Sequence, residues 1–278
     1  MFITHSSLFI VHTMSASFTD QLNNTIQISF PPKRIVSLVP SQTELLYSFE
    51  LEKEVVGITK FCVRPDQWFK TKQRIGGTKT VNIEMVKSLQ PDLIIANKEE
   101  NVQEQIEALQ QIAPVWISDI QTLDDALDMI QSVGKLVNKT SEANKIAAKI
   151  TGRFKQIPTL KSKLRTAYLI WKDPYMAVGS DTFINDLMSY CGFDNIFNNY
   201  RRYPEITLEQ LMKLECQLLL LSSEPYPFKE KHIEELQQLL PNTQIVLTDG
   251  EIFSWYGSRL LVAPSYLTKF LAHVAPAK

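Results

Sequence analysis

The stretch Thr140–Lys163, TSEANKIAAKITGRFKQIPTLKSK, decides how the rest of the chain is read. Ala143, Ile146, Ala147, Ile150, Phe154 and Ile157 recur at helical spacing, while Lys145, Lys149, Arg153 and Lys155 occupy other faces. A side-chain oxygen of Thr140 or Ser141 is placed to take an unpaired N–H of the first turn. Pro158 should stop or bend the helix. Strand and helix signals alternate before this stretch and again after it. It therefore reads as one long helix over 139–163 joining two α/β lobes, 33–138 and 164–278, behind a leader over 1–32. The plainer alternative is a surface helix of a single domain.

A chain of 278 residues, 44% hydrophobic and 21% charged, holds one large or two medium domains with a proper core. A net charge of −1 points to neither nucleic acid nor an anionic membrane as a partner. Cys62, Cys191 and Cys216 lie far apart without a CxxC, and read as small buried hydrophobes. Of His5, His12, His232 and His273, only His5 and His12 are close in sequence, so no zinc site is expected. The start, MFITHSSLFIVHTMSASF, has an apolar patch but no Lys or Arg ahead of it and no clear cleavage site. It is a poor signal peptide. Met14 is an alternative start.

Residues 15–32 read as polar leader with a short edge strand at 26–30. Arg34–Val39 is a buried strand running into a helix at Pro40, where Ser41 and Glu44 have capping-box spacing. Thr59–Thr80 is loop-like, with Phe61, Arg64, Pro65, Trp68 and the pair Gly76-Gly77. Further strands are expected around 93–96, 115–117, 166–170, 217–221 and 245–247, with helices between them. This alternation implies a mostly parallel sheet covered on both faces. The closing helix tolerates Pro264 only in its first turn.

A repeat links the halves. Asn82–Ala96, NIEMVKSLQPDLIIA, can be laid on Thr207–Leu221, TLEQLMKLECQLLLL. Each is a cap residue, a Glu two positions on, a short amphipathic helix and an all-apolar strand. Glu84 and Glu209 thus hold equivalent first-turn positions, one acidic point on each lobe. Read singly, each glutamate could simply cap its helix.

Open α/β sheets bind ligands beyond the C-terminal ends of their strands. Those loops carry Pro40 and Ser41, Gly76, Gly77 and Thr78, Asn97 to Glu100, Trp171 to Tyr175, and Phe253 to Arg259. The last, FSWYGSR, suits a large, flat or anionic ligand through Phe253, Trp255 and Arg259, or else it packs on its own domain. No GxSxG, P-loop, HExxH or GxGxxG is present, so catalysis is not the expected activity.

With these residues assembled, the chain resembles the periplasmic solute-binding proteins of ABC importers for iron complexes and vitamin B12. The carriers are RIVSLVPSQTELLY, VVGIT, RIGGTKTVNIEMVKSLQPDLIIAN, the joining helix, MAVGSDTFINDLMSYCGFDNIF and ITLEQLMKLECQLLLL, together covering about 33–273. The resemblance implies two lobes bridged by a rigid helix, slight closure on binding, and a ligand in the cleft. It implies a periplasmic monomer, without its own cofactor, that delivers its ligand to a membrane permease dimer. By position Glu84 and Glu209 would dock onto permease arginines. Pro40, Tyr203, Trp255 and Arg259 lie where the family lines its cleft, and Phe61, Arg64 and Trp68 are added as candidate contacts. Asn97 and Lys79 depart from the tryptophans of the vitamin B12 binders. Arg64, Arg201, Arg202 and Arg259 would suit an anionic ferric siderophore, so corrinoid and ferric chelate both stand. The competing readings are a two-lobed nucleotide-sugar transferase, disfavoured by the lack of a phosphate-cradling loop, and a ligand sensor of the same fold without export.

Overall fold

The computed structural model describes residues 14–158, 160 and 162–274. It begins with an antiparallel hairpin, β1 (Met14–Thr19) and β2 (Thr25–Phe30). This corrects the expectation of a leader over these residues. Ile28 is 3% exposed, Trp116 Nε1 donates to the Thr19 carbonyl at 3.2 Å, and Gln21 N donates to the Ile117 carbonyl at 3.1 Å. The hairpin is therefore anchored on the first lobe. His5, His12 and the signal-peptide reading lie outside the described residues.

The first lobe runs β3 (Ile35–Ser37), α1 (Pro40–Ser48), β4 (Val55–Ile58), α2 (Asp66–Thr71), β5 (Gln73–Arg74), α3 (Ile83–Ser88), β6 (Leu93–Asn97), α4 (Gln103–Gln110) and β7 (Val115–Ser118). Its strands pair in parallel in the order β5-β4-β3-β6-β7. Every residue of β6 is buried, which is why LIIAN is an almost unbroken apolar run. The segment expected to be loop between Thr59 and Thr80 contains α2 and β5.

Two helices follow, α5 (Leu123–Leu136) and α6 (Thr140–Phe154). The joining helix is thus shorter than expected. It ends at Phe154 because Pro158 disfavours helical geometry at Ile157 and its ring would strike the Phe154 carbonyl. The connection is a pair of helices packed side by side. Gly134 permits their close approach, since a Cβ there would lie 2.2 Å from that of Ala143.

The second lobe runs β8 (Leu164–Trp171), β9 (Met176–Ala177), α7 (Phe183–Tyr190), β10 (Phe193–Asn195), α8 (Leu208–Lys213), β11 (Leu218–Ser222), α9 (Glu230–Leu239), β12 (Gln244–Thr248), α10 (Gly250–Ser254), a 3-10 turn (Ser258–Leu261) and α11 (Ala263–Val274). Its sheet order is β10-β8-β11-β12, all parallel, with β9 antiparallel on the far end of β8. Pro264 sits in the first turn of α11, where its missing N–H costs nothing. The strand order matches β4-β3-β6-β7 of the first lobe, so the sequence repeat is a structural one.

The duplication extends to single hydrogen bonds. Arg34 donates to the Leu89 carbonyl closing α3 through Nε at 2.8 Å and Nη2 at 2.6 Å. Arg165 donates to the Leu214 carbonyl closing α8 at 3.1 and 2.7 Å. The next residues, Gln90 and Glu215, take left-handed φ of 46° and 50°. Each short helix thus ends in the same left-handed turn before its central strand.

One apolar cluster runs from the first sheet through α5 and α6 to α7 and α11. A second covers the other face of the second sheet, around Leu219, Leu221 and Leu236. Asp186 of α7 reinforces the joint by accepting from Leu123 N at the start of α5, 2.7 Å away. Sliding or hinging at this joint would have to break continuous packing.

Candidate functional site

The C-terminal ends of the central strands of both sheets lead into one inter-lobe seam. On the first lobe, β3 runs into α1 and β6 into the loop Asn97–Asn101. On the second, β11 runs into Ser223 and Glu224, and β12 into α10 and the loop Trp255–Gly257. Gly257, at φ 146°, brings this loop against α1, where a Cβ would sit 2.9 Å from the Ser41 carbonyl oxygen.

Three ion pairs cross the seam. Arg259 forks onto Glu44 at 3.1 and 2.7 Å, and lies 5.3 Å from the Trp255 ring centroid. Arg64 Nε meets Glu251 at 2.5 Å, and Arg202 Nη2 meets Glu99 at 2.9 Å. The Arg259–Glu44 pair is the least exposed, at 12% and 20% of its side-chain surfaces. Burial pushes the Glu44 carboxyl up, and the Arg259 guanidinium offsets only part of this.

That pairing corrects the capping box expected at Ser41. The N-cap of α1 is Val39, without a side-chain cap, because Pro40 takes the first helical position with its φ preset. Glu44 is drawn to Arg259 instead. The Ser41 hydroxyl is left buried with only the Tyr256 hydroxyl against it, while Gln42 Oε1 and Ser258 Oγ are buried without a partner among the described residues.

Asn97, expected to contact ligand, is 2% exposed and organises the acidic loop. Its Oδ1 accepts from Glu99 N at 2.8 Å and Glu100 N at 3.0 Å, while its Nδ2 donates to Ser118 Oγ at 3.0 Å. Asn101 Nδ2 donates to the Thr78 carbonyl at 3.0 Å, tying this loop to the Gly77-Thr78 turn. Glu100, half-buried in this frame, titrates near 7 instead of 4.5. Burial is the main cause, followed by the charges of Glu99 and Glu224. Across the seam, Glu224 accepts from Trp255 Nε1 at 2.9 Å and Ser254 Oγ at 2.8 Å. Burial raises its carboxyl too, against those two hydrogen bonds. Tyr203 is half-buried nearby, and burial with the Glu99 charge pushes its phenol well up.

Two predicted contacts are spent elsewhere. Trp68 is wholly buried in the first lobe, edge-on to Tyr47 with its indole N–H on Glu52. Phe253 is wholly buried between Tyr168 and Phe270. Phe61 is 51% exposed and Trp171 is 40% exposed, the latter edge-on to Tyr226. Tyr175 is half-buried on the turn after β8, and Pro40 is buried at the head of α1. The structure thus gathers Pro40, Ser41, Arg64, Trp255 and Arg259 at the seam, with Thr78 and Asn97 behind its acidic loop.

The residues missed from sequence are Glu224 and Glu251, while Glu99, Glu100 and Tyr256 fall within the loops expected at the ligand side. A signal existed for one of them: extending the repeat past its apolar strand lays Glu99 on Glu224.

Glu84 and Glu209 are exposed in the first turns of α3 and α8. The N-cap residues are Asn82 and Thr207, and the Glu209 carboxylate accepts from the Thr207 hydroxyl and its own N–H. Asn82 Oδ1 accepts from Met85 N at 3.0 Å, and Thr207 Oγ1 from Gln210 N at 3.3 Å. Among the described residues neither glutamate has an ion-pair partner. Three free, buried cysteines and the absence of any metal-holding cluster of His, Cys, Asp and Glu complete the description of these residues. No helix among them is long and apolar enough to cross a membrane.

The model of the periplasmic binding protein family matches residues 35–242. The chain belongs to the periplasmic binding protein family. Within it, the chain is 27% identical to the vitamin B12-binding protein of Vibrio campbellii over 200 residues, 69% of this chain and 71% of that one. It is also 27% identical, over 207 residues, to an uncharacterised ABC transporter substrate-binding lipoprotein of Bacillus subtilis, covering 70% and 65%. The crystal structure of the periplasmic vitamin B12-binding protein of Vibrio cholerae superposes with a TM-score of 0.74 at 23% identity, covering 88% of this chain and 98% of that one. As a periplasmic binding protein, the chain has the two-lobed fold expected from its sequence. The transferase and sensor alternatives gain no support.

Proposed function

We propose that this chain is the extracytoplasmic substrate-binding component of an ABC importer. It captures a small metal complex, a corrinoid or a ferric chelate, between its lobes and presents it to a permease dimer in the membrane. The observation that carries this reading is the convergence of both sheets' strand ends on one seam, with matched free glutamates on the two lobes. Pro40, Ser41, Trp255 and Arg259 stand at the ligand side, the first three buried in the seam between the lobes. Trp255, 6% exposed, is held by Glu224 with Arg259 over its ring, so it supports the ligand side from within the seam. The ligand itself provides the metal, so the chain needs no cofactor of its own.

Glu84 and Glu209 are the docking contacts. Each is an exposed carboxylate on a short helix fixed at both ends, by an Asn or Thr cap and by an arginine clamp. Two such points related by the duplication suit a two-fold symmetric basic surface. The test is the double variant Glu84→Arg, Glu209→Arg, assayed for ligand binding in solution and for uptake in cells. Uptake is expected to fall to background with affinity unchanged. Uptake at the wild-type rate would remove the docking role.

A further inference from the structure

We propose that the seam selects an uncharged or cationic metal complex carrying peripheral N–H donors, and that Glu100 and Glu224 set this preference. The inference rests on the reading above that the seam is the ligand site.

Charge accounting separates the two ligand classes left open. Each arginine that would suit an anionic chelate is already committed: Arg64 to Glu251, Arg201 to Asp181, Arg202 to Glu99, and Arg259 to Glu44 and Glu251. Lys79 spends its ammonium on the Glu99 carbonyl. Glu100 and Glu224, by contrast, have no cation within 4.0 Å among the described residues. The Glu99 carbonyl does not cancel the Lys79 charge, so Lys79 offsets one of these two carboxylates, and with Glu100 ionised, above about pH 7, what remains unneutralised at the seam is a single negative charge. A polyanion would have to compete with carboxylates for the arginines, of which Arg259 is the least exposed, and lie beside two further carboxylates, which repel it.

The second observation concerns buried polar atoms. Tyr256 is 6% exposed, and its hydroxyl meets only that of Ser41 among the described residues. The charges acting on that hydroxyl are those of Glu100 and Glu99, with the Ser41 hydroxyl beside it. Ser41 Oγ, at 3% exposure, has no partner beyond that hydroxyl, and Gln42 Oε1, at 0%, has none among the described residues. A buried polar atom left unpaired is costly, and native structures keep few of them. Carboxylates, an amide oxygen and hydroxyls together form an acceptor-rich floor. Its complement is a ligand whose rim offers amide or ammonium N–H groups. Glu224 also holds the Trp255 indole, so the aromatic face and the acceptor floor are positioned by one residue.

The experiment is calorimetric titration of the full chain with four probes: cyanocobalamin (uncharged), ferrioxamine B (cationic), ferric enterobactin and haemin (both anionic). Wild type, Glu100→Gln and Glu224→Gln are compared. Glutamine keeps size and an acceptor oxygen but removes the charge. Cyanocobalamin or ferrioxamine B is expected to bind at least about tenfold tighter than either anion. Each variant should weaken ferrioxamine B by about tenfold, weaken cyanocobalamin by less, and narrow the gap to the anions. An anion that binds wild type most tightly, or a gap that neither variant changes, overturns this inference and leaves the importer reading standing. Saturable binding of none of the four overturns both.

Discussion

Replacing Glu100 with Gln should stabilise the unliganded protein above neutral pH and do little in acid. The folded chain raises this carboxyl from 4.5 to about 7. It therefore holds the proton more tightly than the unfolded chain does. Stability attributable to this group is fully present below about pH 4.5 and is lost as pH rises through about 7. At ~1.4 kcal/mol per pH unit, the full cost above that range is about 3 kcal/mol. Glu100 keeps partial contact with water, which screens it, so about 1–2 kcal/mol is the working figure. Gln cannot ionise and escapes the loss. Urea unfolding followed by tryptophan fluorescence, at about pH 5 and about pH 8, reads the difference directly. The variant should exceed wild type by about 1–2 kcal/mol at the higher pH and match it within about 0.5 kcal/mol at the lower. A variant no more stable than wild type at about pH 8, or one equally stabilised at both, refutes the account of a strained seam carboxyl. The outcome bears on function, because a group that costs the empty protein stability is one retained for what it binds.

Other perturbations follow from the same geometry. Gly257→Ala should cost about 1–3 kcal/mol in thermal or urea unfolding, because φ is 146° and the new Cβ would press on the Ser41 carbonyl at 2.9 Å; an unchanged midpoint would mean the loop is not held as described. Arg259→Ala should cost about 2 kcal/mol, since Glu44 would be left half-buried and unpaired beside Glu251. Arg259→Lys should recover only part of that loss, because a point charge cannot reproduce the two-pronged contact.

The duplicated architecture was legible because parallel strands buried on both faces must be apolar throughout. LIIA and LLLL at matching offsets from Asn82 and Thr207 could hardly be otherwise. The exposed positions of Glu84 and Glu209 followed from the same offset. The arginine clamps were not legible: Arg34 and Arg165 act on carbonyls far along the chain, and only the folded sheet brings them there. Trp68 and Phe253 misled for a related reason. An aromatic residue in a loop-like stretch looks available to a ligand until packing decides which way it faces, and both faced the core. The Ser41 box failed because Pro40 competes for the same turn. The loop Asn97–Glu100 was legible at the ligand side, but its counterpart Glu224 was hidden because a Glu after a strand ordinarily reads as a solvated surface. Here the facing lobe covers it.

Hydrogen exchange with and without saturating cyanocobalamin tests the central claim most directly, that ligand is held between the lobes. Amides of Asn97–Asn101 on the first lobe and of Ser223–Glu224 and Gly250–Gly257 on the second should slow together, with no comparable change in α3 or α8. Protection confined to one lobe would contradict the account. So would protection at the outer groove lined by Ile233, Val246, Lys269 and His273, or none anywhere.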